Sequence, residues 1–388
     1  MIEKSDYLFL ILGTNPMPNL IAISNRVKEN GKVFFIVTDS KNSSFSSKTI
    51  GESIKRILKN KKINIIKELL SVDKNNEENI RNILEEKYGI ADGIIELNYT
   101  GGTKNMSSSA YKFFKEKMRK NEKKIILSYF DNTSGNFIME NYIKGDKITY
   151  VEESFDKNLF NSMFTIKDIA TIHKLNIKSS KEGLNKYSEY GEQYGVNFEK
   201  LSLDEKKKWI EELNLCCRKK DKNLYLDFVE KYVSKDLKED LTNKEIKKIS
   251  RYLLGDAFEE YFNNMLISYK EENIIDEYLW STKTKSSTEV KNDTELDFLV
   301  RKGKDITLLS VTLCEEREET KLKLYEAISR SKEISGDQCR TIFVCLYESY
   351  KEMLNDICGL DIDIEENVNL IALDNFENIK EKLRMMLI

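Results

Sequence analysis

The apolar run DYLFLILG, residues 6–13, constrains the fold more than any other stretch of the chain. It shows almost no polar alternation, and a strand without alternation is buried on both faces, as in a parallel sheet covered by helices. Similar runs return at intervals as KVFFIVTD, INIIKELLSV, GIIELNYT and KKIILSYFD. Between them lie stretches with helical spacing: Asn19 to Glu29, SKTIGESIKRIL, NEENIRNILEEKYG closing on its glycine, and about Met106 to Arg119. Repeated βα units of this length predict a doubly wound α/β sheet, ending in a strand pair around GNFIMENY and KITYVEE. This first domain is expected over residues 1–152.

Beyond it the pattern changes. Lys and Glu crowd residues 153–245, strand signals vanish, and short amphipathic helices suggest a helical connector. A helical pattern then runs through Ile246, Ile249, Leu253, Phe258, Tyr261, Phe262, Met265 and Leu266. After it come the hairpin ELDFLVRKGKDITLLSV, a helix from Thr320 to about Ser335, the strand CRTIFVCLYE, a helix near Lys351, the strand NLIALD and a terminal helix. These elements predict a second α/β domain over residues 246–388.

Composition narrows the function. With 388 residues, 40% hydrophobic and 33% charged, the chain can bury real cores and is not disordered. The 63 basic and 66 acidic residues nearly cancel, so any binding of nucleic acid must rely on a local patch. Six cysteines without a CxxC pair offer neither a zinc site nor a disulfide framework, and a reducing cytoplasm is the expected location. No run of about 18 apolar residues is present, and the opening MIEKSDYLFLILGTNP is too short and acidic for a signal peptide, so no membrane is expected. A single histidine, His173, excludes metal sites with several His ligands, and its amphipathic surroundings indicate packing or capping.

Two loops of the first domain carry the polar chemistry. GTNP, Gly13–Pro16, follows the first strand, and NYTGGTKNM, Asn98–Met106, follows a later strand and opens a helix. In a doubly wound sheet both fall at the carboxyl edge, where ligands bind. Gly101 and Gly102 let backbone approach a ligand, and the following helix start offers free N–H groups to phosphate. Thr100, Thr103 and Lys104 add hydroxyls and a cation, while Asn15 and Asn98 are placed to read a base or ribose edge. A phosphate loop of the GxxxxGK[ST] kind is absent.

The pattern N-x-TGGTK-x-M after a strand, with a Gly/Thr/Asn loop after the first strand, resembles the CARF domains that sense cyclic oligoadenylates in type III CRISPR defence. That resemblance implies a Rossmann-like fold and a homodimer with one cyclic ligand across its two-fold axis. It implies contacts from Thr14 and Asn15, and from Thr100 through Gly101, Gly102, Thr103, Lys104 and Asn105 to Met106. It points to cyclic tetra-adenylate (cA4), with cyclic hexa-adenylate (cA6) as the alternative.

The later region resembles the PD-(D/E)xK nuclease domain of CARF-fused ancillary nucleases. GDAFEEY matches the helix that brings the first glutamate, here Glu259, and ELDFLV the strand with the metal-binding aspartate, here Asp297. Such sites hold Mg2+ or Mn2+ on carboxylate oxygens, and the metal activates water against a phosphodiester of DNA or RNA. The family carries Glu-x-Lys on the next strand, whereas this chain has Ser310 and Thr312. Residues two apart share a strand face, so both are expected beside Asp297. Glu315 and Lys321 are candidate replacements for the missing carboxylate and lysine, within an acidic stretch that also includes Glu316, Glu318 and Glu319. Three readings stay open: a ring-activated nuclease, a sensor whose second domain only binds nucleic acid or a protein, and a ring nuclease that cleaves its ligand in the CARF pocket.

Overall fold

Leu8, Phe9, Leu10 and Ile11 have no solvent exposure, because their strand lies inside a sheet of seven strands among the described residues. The computed structural model describes residues 3–38, 46–61, 66–120, 123–143, 147–173, 175–181, 188–219, 221–233, 242, 244, 248–249, 252–253, 255–286, 294–335, 339–358 and 367–388. The chain forms two compact units, Met1–Leu175 and Asn176–Ile388. Among the described residues no helix is long and apolar enough to cross a membrane.

In the first unit β1 (Ser5–Ile11) pairs in parallel with β2 (Val27–Thr38) on one side and β4 (Ile94–Asn98) on the other. β3 (Ile66–Val72) extends the sheet beyond β2, and β5 (Lys124–Asp131) beyond β4, both in parallel. Antiparallel β6 (Asn136–Ile143) and β7 (Lys147–Ser154) complete the order β3-β2-β1-β4-β5-β6-β7. The order reverses between β1 and β4, and at such a switch point the loops leaving the two strands diverge to open a crevice. Crossover helices α1 (Met17–Arg26), α2 (Ser47–Asn60), α3 (Glu77–Ile90) and α4 (Lys104–Lys120) separate the parallel strands. Each carries an apolar stripe that buries against the sheet, such as Ile50, Ile54, Ile57 and Leu58 on α2.

Helix α1 stops at Arg26, short of the expected Glu29, because the chain is already extended at Val27. Arg26 is only 1% exposed. Its Nε donates to both carboxylate oxygens of the fully buried Glu96, at 3.1 and 3.2 Å, and Nη1 reaches Glu153 at 2.6 Å. Ser128 Oγ donates a further bond to Glu96 at 2.7 Å. Burial holds the Glu96 carboxyl above its ordinary range, with Arg26 opposing that shift. Helix α3 continues one residue past Gly89, to Ile90.

The stretch expected as a connector is divided between the units. Helices α5 (Lys157–Met163) and α6 (Ile166–Ile172) belong to the first, with Asp168 closing a capping box on Thr165 and pairing with Lys61 at 2.6 Å. His173 caps α6 from the C-terminal end, as its surroundings suggested, and burial pushes its imidazole down to about 4, leaving it neutral. Helices α7 (Ser188–Lys200), α8 (Leu203–Lys219) and α9 (Lys222–Tyr232) belong to the second unit. They supply Tyr194, Phe198, Trp209 and Phe228 to its core, so their apolar faces have a partner and need no spacer role. Ile246 and the expected boundary at residue 245 lie outside the described residues.

The second sheet has the order β13-β12-β11-β10-β9-β8. It comprises β8 (Leu175–Lys181), β9 (Glu277–Ser286), β10 (Thr294–Lys302), β11 (Asp305–Val311), β12 (Arg340–Val344) and β13 (Val368–Ile371). The antiparallel β10–β11 hairpin turns at Gly303, in the left-handed region at φ 58°, and β11, β12 and β13 run in parallel. Strands β8 and β9 carry no clear signal in the sequence, because LNIKSSK and EYLWSTKTKS are rich in Lys, Ser and Thr. Helices α10 (Asp256–Glu271), α11 (Arg317–Ser335), α12 (Tyr350–Cys358) and α13 (Ile379–Leu387) complete this unit.

Removing one partner of a buried ion pair strands the other charge, at a cost of about 3–5 kcal/mol. Arg26→Met is expected to lower the unfolding free energy of the first unit, read from urea titration, by that amount, and Arg26→Met/Glu96→Met to recover most of the loss. Equal stability of the single variant and the wild type would show that the pair contributes nothing.

Candidate ligand pocket and candidate active site

In the first unit the loops after β1 and β4 pack backbone to backbone. A Cβ at Gly101 would overlap the Ile11 carbonyl oxygen, and one at Gly13 would lie 2.9 Å from the Gly102 nitrogen. Gly102 adopts φ +83°, a left-handed conformation that side chains disfavour. Asn98 and Thr100 are engaged within this turn. Asn98 Nδ2 donates to Ser128 Oγ at 3.1 Å, while Thr100 Oγ1 donates to Asn98 Oδ1 at 2.8 Å and accepts the Phe130 N–H at 2.7 Å. Asn15 Oδ1 accepts from Met17 N at 3.0 Å and Thr103 Oγ1 from Met106 N at 3.3 Å, so each closes the first turn of a helix.

What remains open is a cavity of about 840 Å³ at the carboxyl ends of the strands. Gly13, Thr14, Gly102, Thr103 and Met106 line it. Lys104 is exposed, and Asn105 donates to the Lys74 carbonyl at 2.6 Å beside it. The cavity extends across β2 and β3 to Thr38, Ser46, Ser47, Ser71, Asp73, Lys74, Asn75 and Asn79, none of which the sequence reading singled out. Their signal was positional: they follow β2 and β3 at the same edge as the glycine loops. Asn19 was missed as a site residue too. It is fully buried at the base of the Gly101 loop, and neither amide atom has a partner among the described residues.

In the second unit the hairpin puts Asp297 where the alternation predicts. Its Oδ2 accepts from Ser310 Oγ at 2.9 Å and from the Val311 N–H at 2.7 Å. Burial pushes the Asp297 carboxyl above its ordinary range despite those bonds. Glu259, on the first turn of α10, accepts from Trp280 Nε1 at 3.0 Å and lies 3.7 Å from Lys181 Nζ. Burial first, and then the charge of Asp297, raise Glu259 to about 7. Both carboxylates are thus poorly solvated, and each lies within range of the other's charge.

The remaining candidates separate. Thr312 Oγ1 accepts from Lys323 Nζ at 3.1 Å. A cavity of about 220 Å³ is lined by Asp297, Ser310, Thr312 and Lys323, and one of about 410 Å³, lined by Glu259 and Glu315, shares Thr312 and Lys323 with it. Glu315 accepts from Asn214 at 2.6 Å. Lys321 lies 6.0 Å from the Tyr325 ring centre and lines neither cavity. Lys323, which the sequence reading passed over, is the lysine at this place. Its signal was helical spacing, since Glu319, Lys323, Glu326 and Arg330 share one face of α11.

Whether a metal fits can be judged from the donors. Among the described residues no group of three or more His, Cys, Asp or Glu side chains is placed to hold an ion. Glu259 and Asp297 alone suit Mg2+ or Mn2+ bound by two carboxylates with water and a substrate phosphate, rather than an all-protein cage. An ion there would also relieve the repulsion that raises Glu259.

The first unit is thus a doubly wound α/β domain with an open cavity at the switch point of its sheet. Residues 8–159 match the family model described as the Card1 CARF domain, and this part of the chain is a Card1-type CARF domain. The fold as a whole is similar to that of Can2 from Sulfobacillus thermosulfidooxidans, solved in complex with cA4. The TM-score is 0.69 at 14% identity, over 99% of this chain and 97% of that one. Protein VC1899 from Vibrio cholerae gives a TM-score of 0.68 at 14% identity, over 98% of each chain. No curated protein matches the chain.

The raised Glu259 sets a pH dependence. Its carboxyl ionises near 4.5 when unfolded and near 7 when folded, so the folded state holds the extra proton and stability falls as pH rises between those values. With its side chain 22% exposed, the loss is about 2 kcal/mol. Without divalent cations, Glu259→Gln should be stabilised relative to wild type at pH 8 and not at pH 4, as read from urea midpoints. An equal difference at both values would contradict the shift.

Proposed function

We propose that this chain is a cyclic-oligoadenylate-activated CRISPR effector. Two copies bind one cyclic oligoadenylate between their CARF domains, and the ligand switches a metal-dependent nuclease in the second domain. The observation that carries the reading is the Card1 CARF match over residues 8–159, joined to two buried carboxylates, Glu259 and Asp297, close enough for the charge of Asp297 to raise Glu259. A likeness in fold to Can2, solved with cA4, makes cA4 the first ligand to test and cA6 the second. Beside the pocket the N-terminal end of α4 and the exposed Thr103 and Lys104 suit the phosphates of such a ring.

In the second domain, Glu259 and Asp297 would hold Mg2+ or Mn2+, which supplies Lewis acidity and a nucleophilic water when bound. Ser310 and the Val311 N–H fix one oxygen of Asp297, leaving its other oxygen for the site. Trp280 fixes Glu259 in the same way. A second reading draws on Ser310 and Thr312, neutral groups where the related nucleases carry Glu-x-Lys: the domain then binds nucleic acid or a protein without cutting.

Calorimetry with cA4 and cA6 tests the sensor. The full chain should bind cA4 at one ring per two chains. Lys104→Ala should weaken binding about 10-fold, the value of one charge-assisted bond. Asp297→Ala should leave binding unchanged, and the ring should be recovered intact. Absence of binding would remove the sensor reading, and a linearised ring would move the hydrolytic activity into the CARF pocket.

A further inference from the structure

Two carboxylates in a buried site repel any phosphodiester, so a site that takes nucleic acid needs a cation within reach of the same place. Three basic side chains stand around it. Lys181 is held by Asp256 at 3.0 Å and stacks over the Trp280 ring at 4.9 Å. Arg330 is held by Glu333 at 3.0 Å. Lys323 alone of the three lines both cavities, one beside Asp297 and one beside Glu259. Its ammonium donates to Thr312 Oγ1 at 3.1 Å, and among the described residues its ion-pair partner is the exposed Glu319 at 3.2 Å. With 45% of its side chain exposed, that pair is weak and readily exchanged for a phosphate oxygen.

We propose that Lys323 is the phosphate-contacting catalytic residue of the second domain, delivered from α11 and aimed by Thr312. The inference rests on the nuclease reading above and adds a residue to it. Thr312, one residue past the end of β11, occupies the position where the related enzymes carry lysine, and here its hydroxyl accepts from an ammonium 11 residues further on. The charge is thereby restored to the site from another element. Thr312 is a positioning residue, acting through Lys323. In the hydrolysis, the oxygen of a water molecule bonds to phosphorus and the bond from phosphorus to the leaving sugar oxygen breaks. The water's proton passes to solvent and the leaving oxygen takes one from solvent. Lys323 keeps its proton throughout and bonds a non-bridging oxygen, whose negative charge grows along the path. The substrate class is a nucleic-acid phosphodiester.

The test uses the full chain as wild type, Lys323→Met, Lys323→Arg and Thr312→Val, with a labelled DNA duplex as probe. Cutting is followed with cA4 and Mn2+, and binding by anisotropy in EDTA across a salt series. The expected result is a loss of about 100-fold in kcat for Lys323→Met, the usual effect of removing one group that stabilises developing charge. Its slope of log Kd against log salt should be shallower by about 0.9, the signature of one lost phosphate contact. Lys323→Arg should keep the wild-type slope and recover part of kcat, and Thr312→Val should keep the slope with a smaller loss. Thermal melting should be unchanged in both Lys323 variants, since Lys323 is solvent-exposed. Wild-type cutting matched by Lys323→Met, with an unaltered salt slope, overturns the role of Lys323 and leaves the nuclease reading standing. No cutting by any protein, with the slope still shallower in Lys323→Met, keeps the phosphate contact and removes the nuclease reading. No cutting and no change in slope overturns both.

Discussion

The Ile11 carbonyl oxygen lies where any side chain at position 101 would have to go. That one close approach fixes the geometry of the first domain's functional edge. It brings the loop after β4 against the loop after β1, so that α1 and α4 both begin at the switch point of the sheet. Asn98, Ser128 and Thr100 then lock the turn with short hydrogen bonds and leave its backbone little freedom. The cavity beside it is a consequence: the glycines bring the two loops together, and the loops after β2 and β3 wall off the remaining side.

The second domain is organised by the opposite constraint, charge held away from water. Asp297 and Glu259 are each tied by one oxygen to neutral donors, and the cation nearest Glu259, Lys181 at 3.7 Å, is shared with Asp256. Burial, with the charge of Asp297 added to it, raises Glu259 to about 7, so ionising this carboxyl lowers the stability of the folded chain. Such mismatches between a group and its surroundings concentrate at functional sites, since a purely structural pair would be better served by a bound counter-charge.

Much of this was legible in the sequence. Uninterrupted apolar runs gave the parallel strands, because burial on both faces removes alternation. TGGTK marked the sheet edge where the cavity opens, because two adjacent glycines before a helix let one loop pack against another. Ser310 was placed beside Asp297 correctly, since strand periodicity is rigid. The failures have equally physical causes. Strands β8 and β9 read as polar because Lys and Ser stay exposed along one and buried Thr282 and Thr284 take apolar positions in the other. Helix α1 was overrun by three residues because Arg26 looks like a solvated helix end, yet is buried by a partner 70 residues away. Lys321 and Lys323 differ by two residues, and on a helix that turns the side chain through about 200°, from one face to the other. No local pattern around Glu315 revealed that Asn214 would take its carboxylate.

The central question is whether a ligand in the first domain controls chemistry at Asp297. The direct measurement is the initial rate of cutting of plasmid, single-stranded DNA and RNA in Mn2+, with and without cA4, for wild type and Asp297→Asn. The account predicts cutting of at least one polymer by wild type only when cA4 is present, and none by Asp297→Asn although it still binds the ring. Cutting that ignores the ring, or that survives in Asp297→Asn, would contradict it.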